Sequence, residues 1–513
     1  MLVRSTQRSS LLPTRRELGI FACLLCAVVA LACRNSGPVS AVKDSLTIGI
    51  SIPKVGGDEN NIDKVSGSMT LETAVANALD GKPAKRIFDS WKWIEHGHAL
   101  ELHLQPRVFF HDGTPLNAEL AADILRDSLT HPELTQISEV DSVAATDDEH
   151  VVIRTTRQEG LLLSDLSMIE FERPGKPGVG TGPFKATADP ATVEAFDRYY
   201  LGAPTLKRVR LVEYDSQRAA WSAMMRGEID MLHQVSRDAE EFVEAESSVK
   251  ATKFLRPYYN GIVFNTRHAD LSKREVRVAL NEAIDRAAIV RLSLGGQGRP
   301  ASGPVWPLHW AYSTSVSEFG YDPARAAERL DALGYTVGRV KEPGRMPSRF
   351  HFKCLLVEND PGAERIALRV QRQLYELGVD MEVVPVKSLR KAFSTGDFDA
   401  ALLEFIGSRA LNWLYILWHS PQPGARSQLP TGYDAADSAL DRFRSATDET
   451  DIRASVEEMQ RVFRDDPPAL FLAWQERSRA LSRAFEAPDE GNVDILGTIR
   501  QWRGVPMPKQ GRK

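Results

Sequence analysis

Apolar residues alternate with polar ones early in the chain, which is the pattern of strands with one buried face. Every second position is apolar in residues 46–52, and three leucines repeat the pattern in residues 100–104. Asp112–Gly113 then has the composition of a tight turn, and Asn117 is a good N-cap for a helix with one apolar face. The pattern therefore predicts a strand at the start of the fold and a later strand, turn and helix.

Further along the chain, strand and helix patterns alternate, which predicts an α/β fold. Asp322–Pro323 starts one helix, and Gly334 ends it. Gly378 ends a second helix that begins near Glu364. The remaining predicted elements are strands at 209–212, 229–232 and 379–386 and helices at 217–226 and 276–284.

Seven short sequence blocks occur in the order found in a known family. The most distinctive is Phe109–Glu119, which reads FFHDGTPLNAE and resembles the FHDGTPLTAEDV block of the family 5 extracytoplasmic solute-binding proteins. These proteins are the oligopeptide, dipeptide and nickel-type receptors of ABC importers. The other blocks lie at 89–93, 179–184, 226–230, 264–266, 276–286 and 396–400. The resemblance covers roughly residues 46–505, nearly all of the mature chain.

The resemblance implies an α/β, type II periplasmic-binding-protein-like fold, with two α/β lobes, an additional domain and a ligand cleft between the lobes. The implied boundaries are 42–64, 181–265 and 470–513 for a discontinuous first lobe, 65–180 for the additional domain and 266–469 for the second lobe. In this family the chain crosses between the lobes twice. Glycine and proline crowd residues 176–183, so we interpret that segment as a crossover and take 180–183 and 258–265 as hinge candidates.

Length, charge and the motifs present make some classes of protein less probable than others. The chain has 513 residues, 42% of them hydrophobic and 26% charged, and this length predicts two or three lobes rather than one core. The formal net charge of −5 becomes more negative without residues 1–32, which hold four arginines and one glutamate. An acidic chain of this kind does not favour nucleic acid as a partner. Neither a Gly-x-Ser-x-Gly elbow nor a His-Glu-x-x-His helix is present, so an enzyme is not expected.

Residues 1–32 have the features of a signal peptide. Four arginines precede an apolar run of about fifteen residues, which is shorter than a membrane-spanning helix. Arg15–Arg16 leaves twin-arginine export open beside the general route. Ala30–Cys33 resembles a lipobox, while its alanine spacing equally suits ordinary signal peptidase, and both place the cut before Cys33. We expect lipidation of Cys33, because residues 33–45 then form a polar tether to the membrane.

A group of histidines raises the question of a metal site, since imidazole and carboxylate ligands suit nickel or zinc. Its members are Glu95, His96, His98, His103 and His111. We favour a solvated hairpin turn and strand face, because His96 and His98 flank Gly97. No metal ion or other cofactor is predicted. Cys354 stands alone in an apolar run and is expected in the core.

The segment 402–413 is where the resemblance places ligand selection. In peptide-binding relatives an aromatic residue precedes an aspartate that pairs with the α-ammonium group of the peptide. Phe405 matches the aromatic residue, but Ser408 stands where the aspartate is expected, with Arg409 beside it. A buried ammonium group without its counter-charge costs several kcal/mol. A simple free-amine dipeptide is therefore not expected unless Glu404 or another acid substitutes.

Two interpretations of this segment stay open. Arg409 suggests a carboxylate or phosphate group on the ligand, held by paired hydrogen bonds, or it is a surface residue of a rearranged loop. Trp413, Tyr415 and Trp418 form either an aromatic wall of the site or one face of a buried helix. The predicted ligand-binding residues are Phe405, Ser408, Arg409, Trp413 and Tyr258.

The expected function is that of an exported solute-binding receptor. By resemblance, such a receptor binds a peptide-like or other small polar solute by hinge closure and delivers it to an ABC permease in the membrane. The protein is expected to be monomeric and periplasmic or otherwise extracytoplasmic, anchored by a lipid on Cys33. The alternative is a protein with the same binding fold that acts as a solute sensor or assembly partner without transport.

Overall fold

The computed structural model of the chain describes residues 42–51, 61–129, 139–341, 343–344, 346–421, 429–488, 491 and 493–506. The predicted signal peptide, the lipidation candidate Cys33 and most of the predicted tether lie outside the described residues. Within those ranges, no helix combines the length and the apolar content that crossing a membrane requires.

Short and long strands account for much of the described chain. They are β1 (Ser45–Ser51), β2 (Ala76–Asn77), β3 (Pro83–Ala84), β4 (Phe88–Ile94), β5 (Ala99–Leu104), β6 (Val140–Ala145), β7 (His150–Thr155), β8 (Phe184–Ala186), β9 (Thr192–Ala195), β10 (Arg208–Tyr214), β11 (Met231–Val235), β12 (Val249–Phe264), β13 (Gly298–Pro300), β14 (His351–Val357), β15 (Asp380–Val386), β16 (Ala400–Ile406), β17 (Ala469–Ser482), β18 (Phe485–Glu486) and β19 (Arg503–Gly504).

Helices lie between these strands. They are α1 (Ile62–Thr70), α2 (Ala118–Leu129), α3 (Leu162–Leu166), α4 (Gln217–Met225), α5 (Arg237–Ala245), α6 (Arg274–Glu282), α7 (Arg286–Ala288), α8 (Pro323–Ala332), α9 (Pro361–Glu376), α10 (Arg390–Thr395), α11 (Asn412–Trp418), α12 (Asp437–Ser445) and α13 (Glu449–Asp465). A π-helical turn, Ile289–Ser293, follows α7, and 3₁₀ helices occur at Glu95–Gly97 and Ile495–Gln501.

One mixed sheet of eleven strands is the main feature of the described fold. Its order is β15-β14-β16-β12-β17-β11-β1-β10-β9-β8, with β13 beside β17. Parallel pairs lie on both sides of the centre, since β1 pairs with β10 and β11, and β14 pairs with β15 and β16. We call β1 with β8–β11 the β1 half of the sheet, and β14–β16 the β14 half.

Two long antiparallel strands connect the halves. β12 and β17 pair from Val249 opposite Ser482 to Val263 opposite Ala469. The last part of β17 pairs with β11 of the β1 half, and the last part of β12 pairs with β16 of the β14 half. Each strand therefore runs through both halves, and the chain crosses between them twice.

Caps and alternation predicted from the sequence are confirmed at several places. Asn117 accepts a hydrogen bond from the Leu120 amide at 2.9 Å and caps α2. Asp322 caps α8 through the Arg325 amide at 2.9 Å. Gly378 has a φ of 79° after α9, as an end of a helix in the left-handed conformation requires. Leu46, Ile48 and Ile50 of β1 are fully buried.

A second sheet, with the order β4-β5-β7-β6, lies between α1 and β8 in the sequence. Its core includes the three leucines of β5 and the apolar face of α2. The predicted strand, turn and helix of residues 98–129 are therefore confirmed. In the turn, the Asp112 carboxylate accepts a hydrogen bond from the Thr114 amide at 3.0 Å and forms ion pairs with Arg173 at 2.7 Å and Lys176 at 2.8 Å.

The segment 176–183 does not join the two halves of the large sheet, contrary to its interpretation as a crossover between lobes. It links the small sheet to β8, at the edge of the β1 half. The interpretation was wrong because a turn rich in glycine and proline marks a connection without showing which sheets it connects. Of the two hinge candidates, only 258–265 overlaps a crossing strand, because its residues 258–264 belong to β12.

His111 fastens this segment to the small sheet. The Gly180 amide donates to His111 Nδ1 at 3.3 Å, and His111 Nε2 donates to the Gly182 carbonyl at 3.0 Å. A Cβ at either glycine would lie within 2.6 Å of a backbone oxygen of Met69 or Thr70. Glycine is thus needed for the close approach to the end of α1, and the neutral imidazole satisfies two backbone groups.

We expect stability to fall at acidic pH because of His111. Burial lowers its pKa from 6.5 to about 4, so below pH 6.5 the unfolded chain binds a proton that the folded chain rejects. The unfolding free energy should fall by roughly 2 to 3 kcal/mol between about pH 6.5 and 4 on this account. Urea unfolding at both pH values measures it. His111→Gln should remove that part of the pH dependence, and an equal loss in both proteins would refute the assignment.

Candidate functional site

The ladder between β12 and β17 is interrupted where the strands pass from one half to the other. Leu255 pairs with Glu476 and Tyr259 pairs with Trp474, so three residues of β12, 256–258, face the single residue Gln475. Such a bulge bends a strand and redirects its side chains. Pro257 fits this position because it has no N–H to donate to the ladder. The bulge therefore marks the boundary between the two halves and sets the place of the site.

Charged side chains meet at the bulge. The Arg256 guanidinium donates to Gln475 Oε1 at 3.0 Å and lies 3.7 Å from a Glu404 carboxylate oxygen. It also stacks on the Tyr258 ring at 3.9 Å from the ring centre. Gln475 Nε2 donates to the other Glu404 oxygen at 2.6 Å. Glu404 is therefore already engaged by an arginine and an amide, although its side chain is 44% exposed.

A second polar group lies on the β1 half. Arg479 of β17 holds both oxygens of Asp494 at 2.5 Å and also donates to the His233 carbonyl. Burial, followed by the charges of Arg479, Arg477 and Arg256, lowers the pKa of the His233 imidazole to about 2. His233 Nδ1 is buried and has no hydrogen-bond partner among the described residues. This histidine is a neutral, unsatisfied group beside a cluster of arginines.

Phe405 does not line a cleft in this structure. Its side chain is 3% exposed and stacks on Tyr259 with ring centres 5.0 Å apart and planes 14° apart. Trp418 packs against the same ring at 5.4 Å. In this structure the Phe405 ring therefore packs among core aromatic residues, and its ligand contact stays a prediction. Phe405 instead packs against Tyr259, the first residue of β12 that pairs with β17 after the bulge.

Ser408 and Arg409 begin the loop after β16, and this loop touches the bulge. The Gly407 amide donates to the Pro257 carbonyl at 2.7 Å. The Ser408 hydroxyl accepts from the Ala410 amide at 3.0 Å, and its carbonyl accepts from the Leu411 amide at 3.1 Å. Ser408 thus holds the turn of its own loop, in the place where the family pattern has an acid.

Arg409 is half-buried rather than a surface residue. Burial lowers the pKa of its guanidinium, and the Asp494 carboxylate opposes that effect. Its Nε is buried and has no hydrogen-bond partner in the described part of the chain. Its carbonyl oxygen lies close to the backbone of Gly81, so that a Cβ at that glycine would be only 2.1 Å from this oxygen. The loop is therefore fixed by the hairpin of β2 and β3, and it carries a half-buried guanidinium whose Nε has no partner among the described residues.

The aromatic residues of α11 are mainly core. Tyr415 and Trp418 are 6% and 2% exposed, and the Trp418 indole donates to the Tyr259 hydroxyl at 3.2 Å. Trp413 is partly buried against the same cluster. Of the five predicted ligand-binding residues, Tyr258 and Arg409 lie at the boundary between the halves. Phe405 and Trp413 pack in the core behind it.

Local sequence patterns did not predict five polar residues near the crossing strands, namely Arg256, Gln475, Arg479, His233 and Asp494. The available signal was the placement of arginines in strands that are otherwise apolar. Buried arginine is rare without a partner, so such residues mark ion pairs or ligand sites. Their partner Asp494 lies in a separate segment, which no local pattern connects to β17.

Three members of the group considered as metal ligands have other partners. Glu95 pairs with Arg154 at 2.8 Å, His103 Nδ1 lies 2.7 Å from Asp89, and His111 binds the backbone. Among the residues that the structure describes, no group of three or more His, Cys, Asp or Glu side chains is placed to hold a metal ion. Cys354 is buried in the core, as predicted, and burial raises the pKa of its thiol to about 12.

Two crossing strands thus join the halves of the large sheet, and a smaller sheet completes the described fold. Solved structures show the same fold. NikZ from Campylobacter jejuni in complex with Ni(L-His) aligns with a TM-score of 0.72 and 19% identity, over 90% of this chain and 99% of that one. The oligopeptide-binding protein AppA from Bacillus subtilis, in complex with a nonapeptide, aligns with a TM-score of 0.69 and 22% identity over the same shares. The predicted type II periplasmic-binding-protein-like fold is confirmed.

The chain belongs to the bacterial extracellular solute-binding proteins of family 5, whose middle-region model matches residues 82–424. Its relatives include the glutathione-binding protein GsiB of Pectobacterium atrosepticum, 25% identical over 401 residues, which are 72% of this chain and 74% of that protein. AppA of Bacillus subtilis is 25% identical over 469 residues, 81% of this chain and 82% of that protein. Members of the family are binding proteins with extracytoplasmic roles, which fits the sequence expectation.

Proposed function

We propose that this protein is the exported receptor of an ABC importer, which closes around a small polar or peptide-like solute and presents it to a membrane permease. The main support for the proposal is that β12 and β17 cross from one half of the sheet to the other. Two strands connect the halves, their pairing with each other is interrupted at residues 256–258, and polar side chains of both strands and of β16 meet at that interruption. A site built at a hinge couples ligand contacts to the relative position of the lobes.

The bulge is the proposed hinge. Rotation of one half against the other changes backbone torsions mainly where the ladder is interrupted, since the flanking pairs on either side stay intact. In this proposal the first lobe, at 42–64, 181–265 and 470–513, includes the strands of the β1 half, and the second lobe, at 266–469, includes those of the β14 half. The small sheet lies in the proposed additional domain at 65–180. These boundaries remain part of the proposal.

Contacts of the hairpin β2–β3 support a closed arrangement. The Trp306 indole donates to the Leu79 carbonyl at 2.9 Å, and the Trp310 amide donates to the Asp80 carbonyl at 2.9 Å. The Arg409 carbonyl oxygen packs against Gly81 of the same hairpin. The loop after β16 and the segment around Trp306 are therefore held against residues 79–81, next to the proposed site. Separation of these contacts would accompany opening.

A simple free-amine dipeptide should bind weakly. No acid stands at position 408, and Glu404 is engaged by Gln475 at 2.6 Å, so a buried ammonium group would lack a counter-charge. Calorimetry with dialanine should detect no tight complex. N-acetyl-dialanine is the matched probe, because it keeps the carboxylate and lacks the amine. Tight binding of dialanine that acetylation abolishes would contradict this prediction.

Export and lipidation belong to the same proposal. Residues 1–32 read as a signal peptide, and cleavage would leave Cys33 as the first residue of the mature chain. A thioether-linked diacylglyceryl group on that cysteine would hold the receptor at the membrane surface beside its permease. The mass of the mature N-terminal peptide tests this step, and an unmodified Cys33 would remove the lipid anchor from the proposal.

The function itself is tested by the solute that the protein holds. Native protein purified without denaturation is expected to release a small molecule on unfolding, which mass spectrometry can identify. Calorimetry with the refolded chain should then show that the same molecule binds again in a one-to-one ratio. A protein that neither releases nor rebinds any solute from a cell extract would argue against a receptor.

A further inference from the structure

A cavity of about 230 Å³ lies between the small sheet and the helices α12 and α13. Its lining residues come from the segments 81–83, 91–93, 160–164, 309–310 and 443–452, together with Ala410. None of them belongs to β12, β16 or β17, so the cavity is separate from the bulge. A cavity of roughly 150 Å³ holds one benzene molecule. The size of this cavity therefore suits a six-membered ring with several substituents.

Two indoles at the edge of the small sheet give the cavity an apolar wall. Trp91 and Trp93 alternate along β4, so both lie on one face of the sheet, opposite Leu102 and Leu100. Because β4 is an edge strand, both tryptophans stay partly exposed, whereas the two leucines are fully buried. An indole offers a flat apolar face and a polar N–H group to a ligand. No described residue accepts a hydrogen bond from the N–H group of either tryptophan.

His309 adds a buried donor without a partner. The residue lines the cavity and is 6% exposed. Its Nδ1 accepts a hydrogen bond from the Ala311 amide at 3.1 Å, and burial lowers the pKa of the imidazole to about 4. The ring is therefore neutral at pH 7, and its one proton lies on Nε2. No described residue accepts a hydrogen bond from Nε2. A buried donor without an acceptor is costly, so a ligand oxygen that meets it is favoured.

The charges around the cavity favour a neutral ligand. Lys82 pairs with Glu449 at 2.8 Å and Lys92 pairs with Glu101 at 2.7 Å, so each lysine that lines the cavity already has a carboxylate. A cationic ligand would meet both lysines, and an anionic ligand would compete with their carboxylates. What stays available is indole surface and neutral N–H donors. A ring with an apolar face and oxygen acceptors at its edge fits both.

We propose that this cavity is a second ligand site, which takes a neutral sugar ring. The apolar face of the sugar packs on the indoles of Trp91 and Trp93, and one of its oxygens accepts the hydrogen bond from His309 Nε2. A plain aromatic molecule fits less well, because it would leave the N–H donors unused. The site is additional to the proposed receptor site and does not depend on it.

The methyl glycosides of glucose, galactose and mannose are the probes, and calorimetry with the purified protein measures their binding. At least one of them is expected to bind saturably in a one-to-one ratio. His309→Asn should weaken that binding about tenfold, because its side-chain oxygen can still accept from the Ala311 amide while the Nε2 donor is lost. His309→Gln keeps a donor near the Nε2 position and should stay within about threefold of the wild-type affinity. Trp91→Leu, which removes the flat ring and keeps an apolar side chain, should also weaken binding.

Arg372→Gln is the matched control. Arg372 is an exposed residue of α9 that pairs with Glu376, so its removal should leave the sugar affinity unchanged. Circular dichroism first shows which variants are folded, and two independent variants keep the test decisive if one of them is not. Absence of binding by all three glycosides would overturn the proposal, as would an unchanged affinity in folded His309→Asn or folded Trp91→Leu. Neither result bears on the receptor function, which the recovered solute tests separately.

Discussion

Replacing Arg444 by methionine is expected to lower the unfolding free energy by roughly 4 kcal/mol. Arg444 Nη2 and Nε donate to the two oxygens of Glu159 at 2.7 and 2.8 Å, and Glu159 is fully buried. Glu159 adjoins the small sheet, while Arg444 belongs to α12. Methionine fills much of the same space but leaves the carboxylate without its main cation. Arg157 stays 3.0 Å from Glu159 and limits the loss.

Urea unfolding of the variant measures this loss. A double variant, Arg444→Met with Glu159→Gln, should regain part of the stability because no charge is then buried. Arg372→Gln removes an exposed pair and should cost less than about 1 kcal/mol. If Arg444→Met cost no more than Arg372→Gln, the buried pair would not be what joins the small sheet to α12.

Replacing Trp474 by alanine is expected to cost roughly 4 kcal/mol and to loosen the hinge. Trp474 is 2% exposed and lies next to the bulge residue Gln475. Its ring centre lies 4.8 Å from that of Tyr259 and 5.3 Å from that of Trp306, at 83° to the latter ring. Alanine would leave a cavity where β12 and β17 pass from one half to the other, so the amide protons of both strands should exchange faster there.

Trp474→Phe is the control for this prediction. Phenylalanine keeps an aromatic ring against Tyr259 and removes less volume, so a smaller loss of stability is expected. Hydrogen exchange at residues 254–259 should rise in the alanine variant and stay near the wild-type rate in the phenylalanine variant. Equal stability of the two variants would show that this ring does not support the hinge.

Local signals predicted much of the fold. Asn117, Asp322 and Gly378 mark helix ends through side-chain caps or a left-handed backbone, and these depend only on a few neighbouring residues. The alternation in β1 and β5 likewise needs no distant partner. Such elements can be predicted from sequence because the interactions that fix them lie within one turn or one strand.

The crossing strands could not be predicted in this way. β12 runs from Val249 to Phe264 through a bulge and Pro257, which break its alternation, and its register is set by β16 and β17. For the same reason, residues 176–183 were assigned to the wrong connection. Which strands meet is decided by pairing between segments far apart in the sequence, and a glycine-rich turn carries no information about it.

The candidate site was predicted in part. The family pattern pointed to the loop after β16, and Arg409 does lie at the boundary between the halves. It could not show that Phe405 is covered by Tyr259 and Trp418, because an aromatic residue fits a core and a ligand site equally well. His233 and Asp494 reach the site only through the fold.

Small-angle X-ray scattering tests the central claim most directly. The chain is unfolded and refolded to remove its solute, and its scattering is compared before and after adding back the molecule recovered from the native protein, at a concentration that calorimetry shows to be saturating. Hinge closure about the bulge at 256–258 predicts a smaller radius of gyration in the bound state. Superimposable profiles under saturating solute would contradict a receptor that works by closing its two lobes.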